Sequence, residues 1–185
     1  MNKAKRFSIE FICFIILIIL DQYTKYLAVN HLKDTSGIPI IKNVLELYYL
    51  PNGNTGAAFG MLSGHQLLFT IIALTVVLII GYILYNMPLD KKYYLMSILM
   101  LFIAAGGIGN MIDRVKQNYV VDFVYFSLIN FPIFNVADIY VSVSTVILAI
   151  YLIFIIKEED YDYIQKEVKK PLIQLFRKNK WNNMN

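Results

Sequence analysis

Hydrophobic and polar positions are arranged along the chain in long blocks. Four apolar blocks cover approximately residues 7–29, 67–85, 93–112 and 139–156. Each is close to the ~20 residues that an α-helix needs to cross the hydrocarbon core of a bilayer. Short polar segments lie near their ends. The pattern therefore predicts four transmembrane helices.

Basic residues indicate how these helices are oriented. They flank the first block, lie between the second and third, and follow the fourth, for example Lys3, Lys5, Arg6, Lys91, Lys92, Lys157, Lys166, Lys169, Lys170, Arg177, Lys178 and Lys180. The first and third connections carry only Lys33, Lys42, Arg114 and Lys116. By the positive-inside rule, both termini are expected in the cytoplasm and the two longer connections outside.

The first outward connection is long enough to contain structure of its own. Ile38 to Ile41 and Val44 to Leu50 are rich in β-branched and aromatic residues, Pro39 restricts the first of them to a sheet edge, and 51–54 reads as a turn. The predicted fold class is an all-α membrane protein with a small extracytoplasmic β-rich subdomain. Residues 1–156 form the transmembrane domain and 157–185 a charged cytoplasmic tail.

Composition narrows the class of protein further. The 185 residues are 58% hydrophobic and only 16% charged, which is too apolar for a soluble domain of this size. The net charge of +4 lies mainly beside apolar blocks, so membrane lipid is the expected partner and nucleic acid is not. Cys13 is the only cysteine, and neither His31 nor His65 has a partner at metal-ligand spacing. We expect no metal, no cofactor and a monomer.

Polar residues concentrate where the blocks end on the predicted outer side. Lys25 lies one helical turn after Asp21, so the two can form an ion pair that anchors the helix. A small-residue run, 104–109, allows close helix packing and precedes Asn110, Asp113 and Arg114. Asp138 precedes the last block, as an ordinary helix-start acid would. Asp122 stands between apolar residues, which should raise its pKa.

Carboxylates at bilayer depth are rare, and several on one side indicate a functional site. The thiol of Cys13 lies in an apolar run and no histidine forms a nucleophile–base pattern, so covalent catalysis is poorly supported. Two carboxylates that share a proton can activate water for amide hydrolysis. The residues alone do not decide whether Asp113 belongs to that pair. A non-enzymatic four-helix carrier or proton relay is the alternative.

Five short motifs resemble those of the bacterial lipoprotein signal peptidases, the type II signal peptidases. They are Asp21-Gln22-x-Thr24-Lys25, Asn54-Thr55-Gly56-Ala57-Ala58-Phe59-Gly60, Gly109-Asn110-x-x-Asp113-Arg114, Val121-Asp122-Phe123 and Phe134-Asn135-x-Ala137-Asp138. They occur in the family's order between Asp21 and Asp138.

The resemblance implies a membrane aspartyl endopeptidase of the bacterial cytoplasmic membrane, with its site toward the extracytoplasmic face. Its substrates would be diacylglyceryl-modified prolipoproteins, cleaved on the N-terminal side of the lipidated cysteine. The family's catalytic pair corresponds to Asp122 and Asp138. Substrate-binding or supporting roles fall to Asp21, Lys25, Asn54, Gly56, Gly107, Asn110, Asp113, Arg114 and Asn135.

Overall fold

The computed structural model describes residues 2–56, 64–164, 166 and 169–170. Four helices in this part of the chain are long and apolar enough to cross a membrane. They are α1 (Lys3–His31), α2 (Gln66–Asn86), α3 (Tyr94–Gln117) and α4 (Val136–Phe154), and a single 3₁₀ turn, Lys91–Tyr93, leads into α3. The prediction of four candidate spans is confirmed, and the chain is a multi-pass membrane protein.

Helix α3 is the centre of the bundle. Half of the residues in its most apolar stretch are buried, whereas 11% or less are buried in the corresponding stretches of the other three helices. It packs against all three of them. The small-residue run makes this possible, because a Cβ on Gly106 would lie 2.5 Å from the carbonyl oxygen of Ala137. A Cβ on Gly109 would lie 2.4 Å from a carboxylate oxygen of Asp21. Glycine is therefore required where α3 meets α4 and α1.

A small antiparallel sheet joins the two longer connections. It has the order β1 (Ile38–Ile41), β2 (Leu45–Leu47) and β3 (Val124–Tyr125). The first two strands confirm the prediction, and β1 is an edge strand, as Pro39 requires. The third strand was not predicted, and it ties the second connection to the first.

The backbone on either side of Asp122 is held by this sheet and its extensions. Tyr48 donates to the carbonyl of Phe123 over 2.9 Å, and Leu50 donates to that of Asp122 over 3.0 Å. Asn54 and Val120 exchange two backbone hydrogen bonds of 2.9 Å each. The position of Asp122 is therefore fixed by contacts with a segment about 70 residues earlier in the chain.

The two ends of the bundle carry different helix termini and different charged residues. The site end is the end where α1 and α3 finish and α2 and α4 begin; the opposite end carries Arg6 and Lys92. Residues 158–164 are helical at the opposite end, and Ile164 packs into the same apolar cluster as Ile156 and Met96. This part of the predicted tail thus contacts the bundle, while Arg177, Lys178 and Lys180 lie outside the described residues.

Candidate active site

A cleft of about 1240 Å³ opens at the site end between α3, α4 and the sheet. Most of its lining is apolar, including Ala73, Phe131, Ile133, Phe134, Val141 and Val143. Its polar lining residues include Asn54, Asn110, Arg114 and Asp138, and Gly56 and Gly107 line it without side chains. An apolar cleft with a few convergent polar groups is the usual form of a binding site.

Asp138 is held at the start of α4. Asn135 caps this helix, accepting from the Asp138 backbone N–H over 3.0 Å, while its own backbone N–H donates to Asp138 Oδ2 over 3.1 Å. The side-chain amide of Asn110 donates to Asp138 Oδ1 over 2.7 Å. Both carboxylate oxygens therefore accept hydrogen bonds at the start of α4, which fixes the orientation of this carboxyl group.

Asp122 lies just behind the cleft wall, and it is 1% exposed. Its Oδ1 accepts from the amide of Asn135 over 2.6 Å, and its Oδ2 accepts from the amide of Asn54 over 2.8 Å. Burial, and secondarily the negative charge of Asp138, raise the pKa of Asp122 to about 7, and the two amide bonds oppose this shift. The expectation of a raised pKa is met. Asp122 and Asp138 are both bonded to Asn135, so the two carboxylates form one unit.

A second pair of acidic residues lies beneath this unit, in the bundle interior. Lys25 forms ion pairs with Asp21 over 2.9 Å and with Asp113 over 3.0 Å, and all three side chains are at most 6% exposed. Gln22 donates to both carboxylates, over 3.2 Å and 3.0 Å, and also to the carbonyl of Gly109 over 3.1 Å. The predicted pair of Asp21 and Lys25 exists, and it is part of a larger cluster.

The acids of this cluster hold the segments that carry the cleft carboxylates. Asp21 Oδ1 accepts from the backbone N–H of Ala137 in the first turn of α4, over 2.9 Å. Asp113 Oδ2 accepts from the backbone N–H of Val121 over 3.1 Å. Asp21 and Asp113 are thus each bonded to the residue immediately before a cleft carboxylate.

Arg114 connects α3 to the first connection and to α2. Its guanidinium donates to the carbonyl of Gly56 over 3.2 Å and lies 5.0 Å from the centre of the Phe69 ring. The neighbouring acid Asp113 forms an ion pair with Lys25.

All the site residues predicted from the sequence lie at the site end, in or beside the cleft or in the cluster beneath it. Their individual roles stay predictions. Gln22 belongs to the first motif but was given no role of its own, and Phe69, which carried no polar signal, was missed. Ala57 to Gly60 of the second motif lie outside the described residues. Within the described ranges, no group of three or more His, Cys, Asp or Glu could hold a metal ion.

The fold and site together define a membrane-spanning helical bundle with a pair of carboxylates, one buried and one lining an apolar cleft. A family profile described as "Signal peptidase (SPase) II" matches residues 13–154. A lipoprotein signal peptidase of Clostridioides difficile is 43% identical over 140 residues, covering 76% of this chain and 91% of its own. One from Brevibacillus brevis is 42% identical over 133 residues, covering 72% and 87%.

Solved structures agree with this match. A structure described as a bacterial membrane enzyme superposes with a TM-score of 0.69 at 29% identity, covering 79% of this chain and 88% of that one. The chain belongs to the signal peptidase II family, and it is an aspartic endopeptidase.

Proposed function

We propose that this chain cleaves the signal peptide from diacylglyceryl-modified prolipoproteins, on the N-terminal side of the lipidated cysteine, with Asp122 and Asp138 as its catalytic pair. The observation that carries the proposal is the shared attachment of the two carboxylates to Asn135 beside an apolar cleft. The names of the relatives, lipoprotein signal peptidases, support the choice of substrate.

The proposed chemistry uses one proton on the pair. Asp138 lines the cleft and acts as the base: its carboxylate takes a proton from water as the water oxygen attacks the scissile carbonyl carbon. Asp122 is protonated at pH values below its pKa of about 7, and it donates this proton to the carbonyl oxygen. The proton that Asp138 received then moves to the leaving nitrogen of the cysteine, the C–N bond breaks, and the re-forming carbonyl group returns a hydroxyl proton to Asp122. Two carboxylates with one proton thereby supply both the base and the acid.

The other cleft residues fit supporting roles. Asn54, Asn110 and Asn135 orient the two carboxylates through their amide groups. Arg114 cannot lose its proton, so it is suited to binding a carbonyl rather than to proton transfer. Gly56 and Gly107 line the cleft without side chains, which leaves room for a substrate backbone.

The site end faces the extracytoplasmic side of the bacterial cytoplasmic membrane in this proposal, and both termini are cytoplasmic. The basic residues at the opposite end support that orientation through the positive-inside rule. The carrier alternative needs a polar route across the bilayer. The main core cluster consists instead of apolar side chains such as Leu17, Ile80, Leu84, Met100 and Leu101, which argues for a site open to one side.

The test is incubation of the purified full chain with a prolipoprotein in detergent or liposomes, with and without its diacylglyceryl group. The signal peptide holds the scissile bond at the membrane from one side, and acyl chains, worth ~0.8 kcal/mol per buried methylene, hold it from the other. We expect release of the signal peptide from the lipidated form and a rate lower by orders of magnitude without lipid. No release from the lipidated form would refute the proposed function, and equal rates would refute the lipid requirement.

A further inference from the structure

The ammonium group of Lys25 has three hydrogen-bond partners. Two of them accept from the backbone N–H just before a member of the catalytic pair, and the third donates to a side chain of the pair. Its Nζ contacts Asp21 Oδ2 at 2.9 Å, Asp113 Oδ2 at 3.0 Å and Asn110 Oδ1 at 2.9 Å. An ammonium has three N–H donors and no acceptor, so all its capacity is used. Lys25 is 3% exposed and does not line the cleft.

The contact with Asn110 has a directional consequence. A primary amide has one oxygen that only accepts and one nitrogen that only donates, and Lys25 can only donate. The oxygen of Asn110 must therefore face Lys25, which turns its nitrogen toward Asp138, 2.7 Å away. If the amide turned over, its nitrogen would face the ammonium and its oxygen would face the Asp138 carboxylate.

Asn135 is oriented by the same logic. Its oxygen accepts from the backbone N–H of Asp138 over 3.0 Å, so its nitrogen points to Asp122 Oδ1, 2.6 Å away. That nitrogen also donates to Asn110 Oδ1 over 3.0 Å, which gives the oxygen of Asn110 a second donor. One amide of the pair is thus fixed by the backbone of α4, and the other by Lys25 with help from Asn135.

We infer that Lys25 is a positioning residue of the cleavage reaction: its ammonium fixes the orientation of the Asn110 amide, so that this amide donates to Asp138. The inference rests on the proposed function for its kinetic test. It goes beyond a bracing ion pair, because it assigns Lys25 an effect on turnover that is transmitted through one named side chain.

The experiment is a double-mutant cycle between positions 25 and 110, measured on the full chain. Lys25→Met alone leaves Asp21 and Asp113 buried without a cation, which can prevent folding. The cycle is therefore run in an Asp21→Asn background. In that background, Lys25→Met leaves one carboxylate and no ammonium, so the cluster has a net charge of −1. The unaltered cluster, with two carboxylates and one ammonium, has the same net charge.

In that background, Lys25→Met should lower kcat on the order of 10²-fold, as misplacement of a reacting group does, with KM unchanged. When Asn110→Ala is also present, Lys25→Met should lower kcat no further, because the side chain through which it acts is gone. Additive losses, or a loss confined to KM, would overturn the inference. Lys5→Met, which removes an exposed lysine outside this network, serves as the control and should leave both constants unchanged.

A second readout needs no activity. The side-chain amide of Asn110, assigned by its loss in Asn110→Ala, should give one exchange-protected pair of signals in ¹⁵N spectra when Lys25 is present. Lys25→Met in the Asp21→Asn background should broaden or split that pair, and an unchanged pair would contradict the inference. Failure of the unaltered chain to cleave lipidated substrate would count against the proposed function alone, since this spectrum would still decide the role of Lys25.

Discussion

The two ends of the bundle both bury charged side chains, but they bond them to different groups. At the opposite end, the guanidinium of Arg6 donates to the carbonyl oxygens of Leu84 over 2.6 Å and Pro88 over 3.0 Å, and lies 3.4 Å from Glu10. At the site end, Lys25 is bonded only to side chains, and those chains lead to Asp122 and Asp138.

Under the proposed function, this difference separates a charge that serves folding from a charge that serves chemistry. Arg6 donates to the carbonyls of Leu84, in the last turn of α2, and of Pro88, just beyond it, where helical i+4 N–H donors run out. The bonds at the site end instead finish on two carboxylates beside a cleft, whose oxygens each retain a further acceptor position for water or substrate. Substitutions at the site end should therefore reduce turnover, and those at the opposite end should reduce stability.

The largest effect is expected from the catalytic pair. Asp122→Asn or Asp138→Asn keeps the side-chain volume but removes a proton-transfer group, so cleavage should fall by at least about 10³-fold. The measurement is release of signal peptide from lipidated prolipoprotein, with Tm recorded beside it. Asp162→Asn, an exposed acid near the opposite end, should keep full activity.

Asp113→Asn belongs in the same series, because the sequence did not exclude it from the pair. Its bonds go to Lys25, Gln22 and the Val121 backbone, so it should cost less activity than either member of the pair. Near-normal turnover of Asp122→Asn or Asp138→Asn would disprove the assignment of the pair.

The next effect concerns pH. Because burial and the charge of Asp138 raise the pKa of Asp122 to about 7, Asp122 holds its proton below that pH and loses it above. With both carboxylates ionised no acid remains, so the cleavage rate should fall about tenfold per unit above pH 7. Asn54 donates to Asp122 and favours its ionised form, so Asn54→Ala should move this fall to higher pH. A shift to lower pH would contradict that account.

Much of this arrangement could be read from the sequence, and the reasons are local. The bilayer dictates helix length, so the apolar blocks located the four helices. The spacing of Asp21 and Lys25 gave their ion pair, since residues four apart share a helix face. The block for α3 was placed to end near Ile112, yet the helix continues to Gln117 because its polar last turns are bonded to Lys25, Gln22 and Gly56.

What the sequence could not give depends on contacts between distant segments. Strand β3 has only two residues, too few for a pattern, and it forms because β2 pairs with it. Gln22 has no periodicity that would link it to Asp113, since the two are 91 residues apart. The three partners of Lys25 come from α1 and α3, so only the folded chain shows that one ammonium links Asp21, Asp113 and Asn110.

At the opposite end, Arg6→Met should lower stability without lowering the turnover of folded enzyme. It removes two charged hydrogen bonds to backbone carbonyls, a change of roughly 2–3 kcal/mol. Thermal unfolding in detergent measures the loss, and cleavage per folded molecule measures turnover. Lys5→Met makes the same change of charge at an exposed neighbour and should leave Tm unchanged. A selective loss of turnover in Arg6→Met would undo the distinction between the two ends.

The smallest effect is expected at Asp160, where residues 158–164 contact the bundle. Asp160 accepts from the side chain of Lys92, from the Lys157 backbone N–H over 3.0 Å and from the Tyr93 hydroxyl over 3.3 Å. The hydrogen bond from Lys92, and then that from the Lys157 backbone, lower the pKa of Asp160. Its contribution to stability is therefore present above the unfolded pKa of about 3.9 and is lost as pH falls through the lower, folded value.

Asp160→Asn should lower Tm slightly at neutral pH, less so at high salt because screening weakens the ion pair, and not at all in strong acid. Glu158→Gln, which removes the same charge at an exposed position, is the matched control. A Tm difference between Asp160→Asn and the unaltered chain that persisted in strong acid would show that the contact of residues 158–164 with the bundle does not depend on this carboxylate's charge.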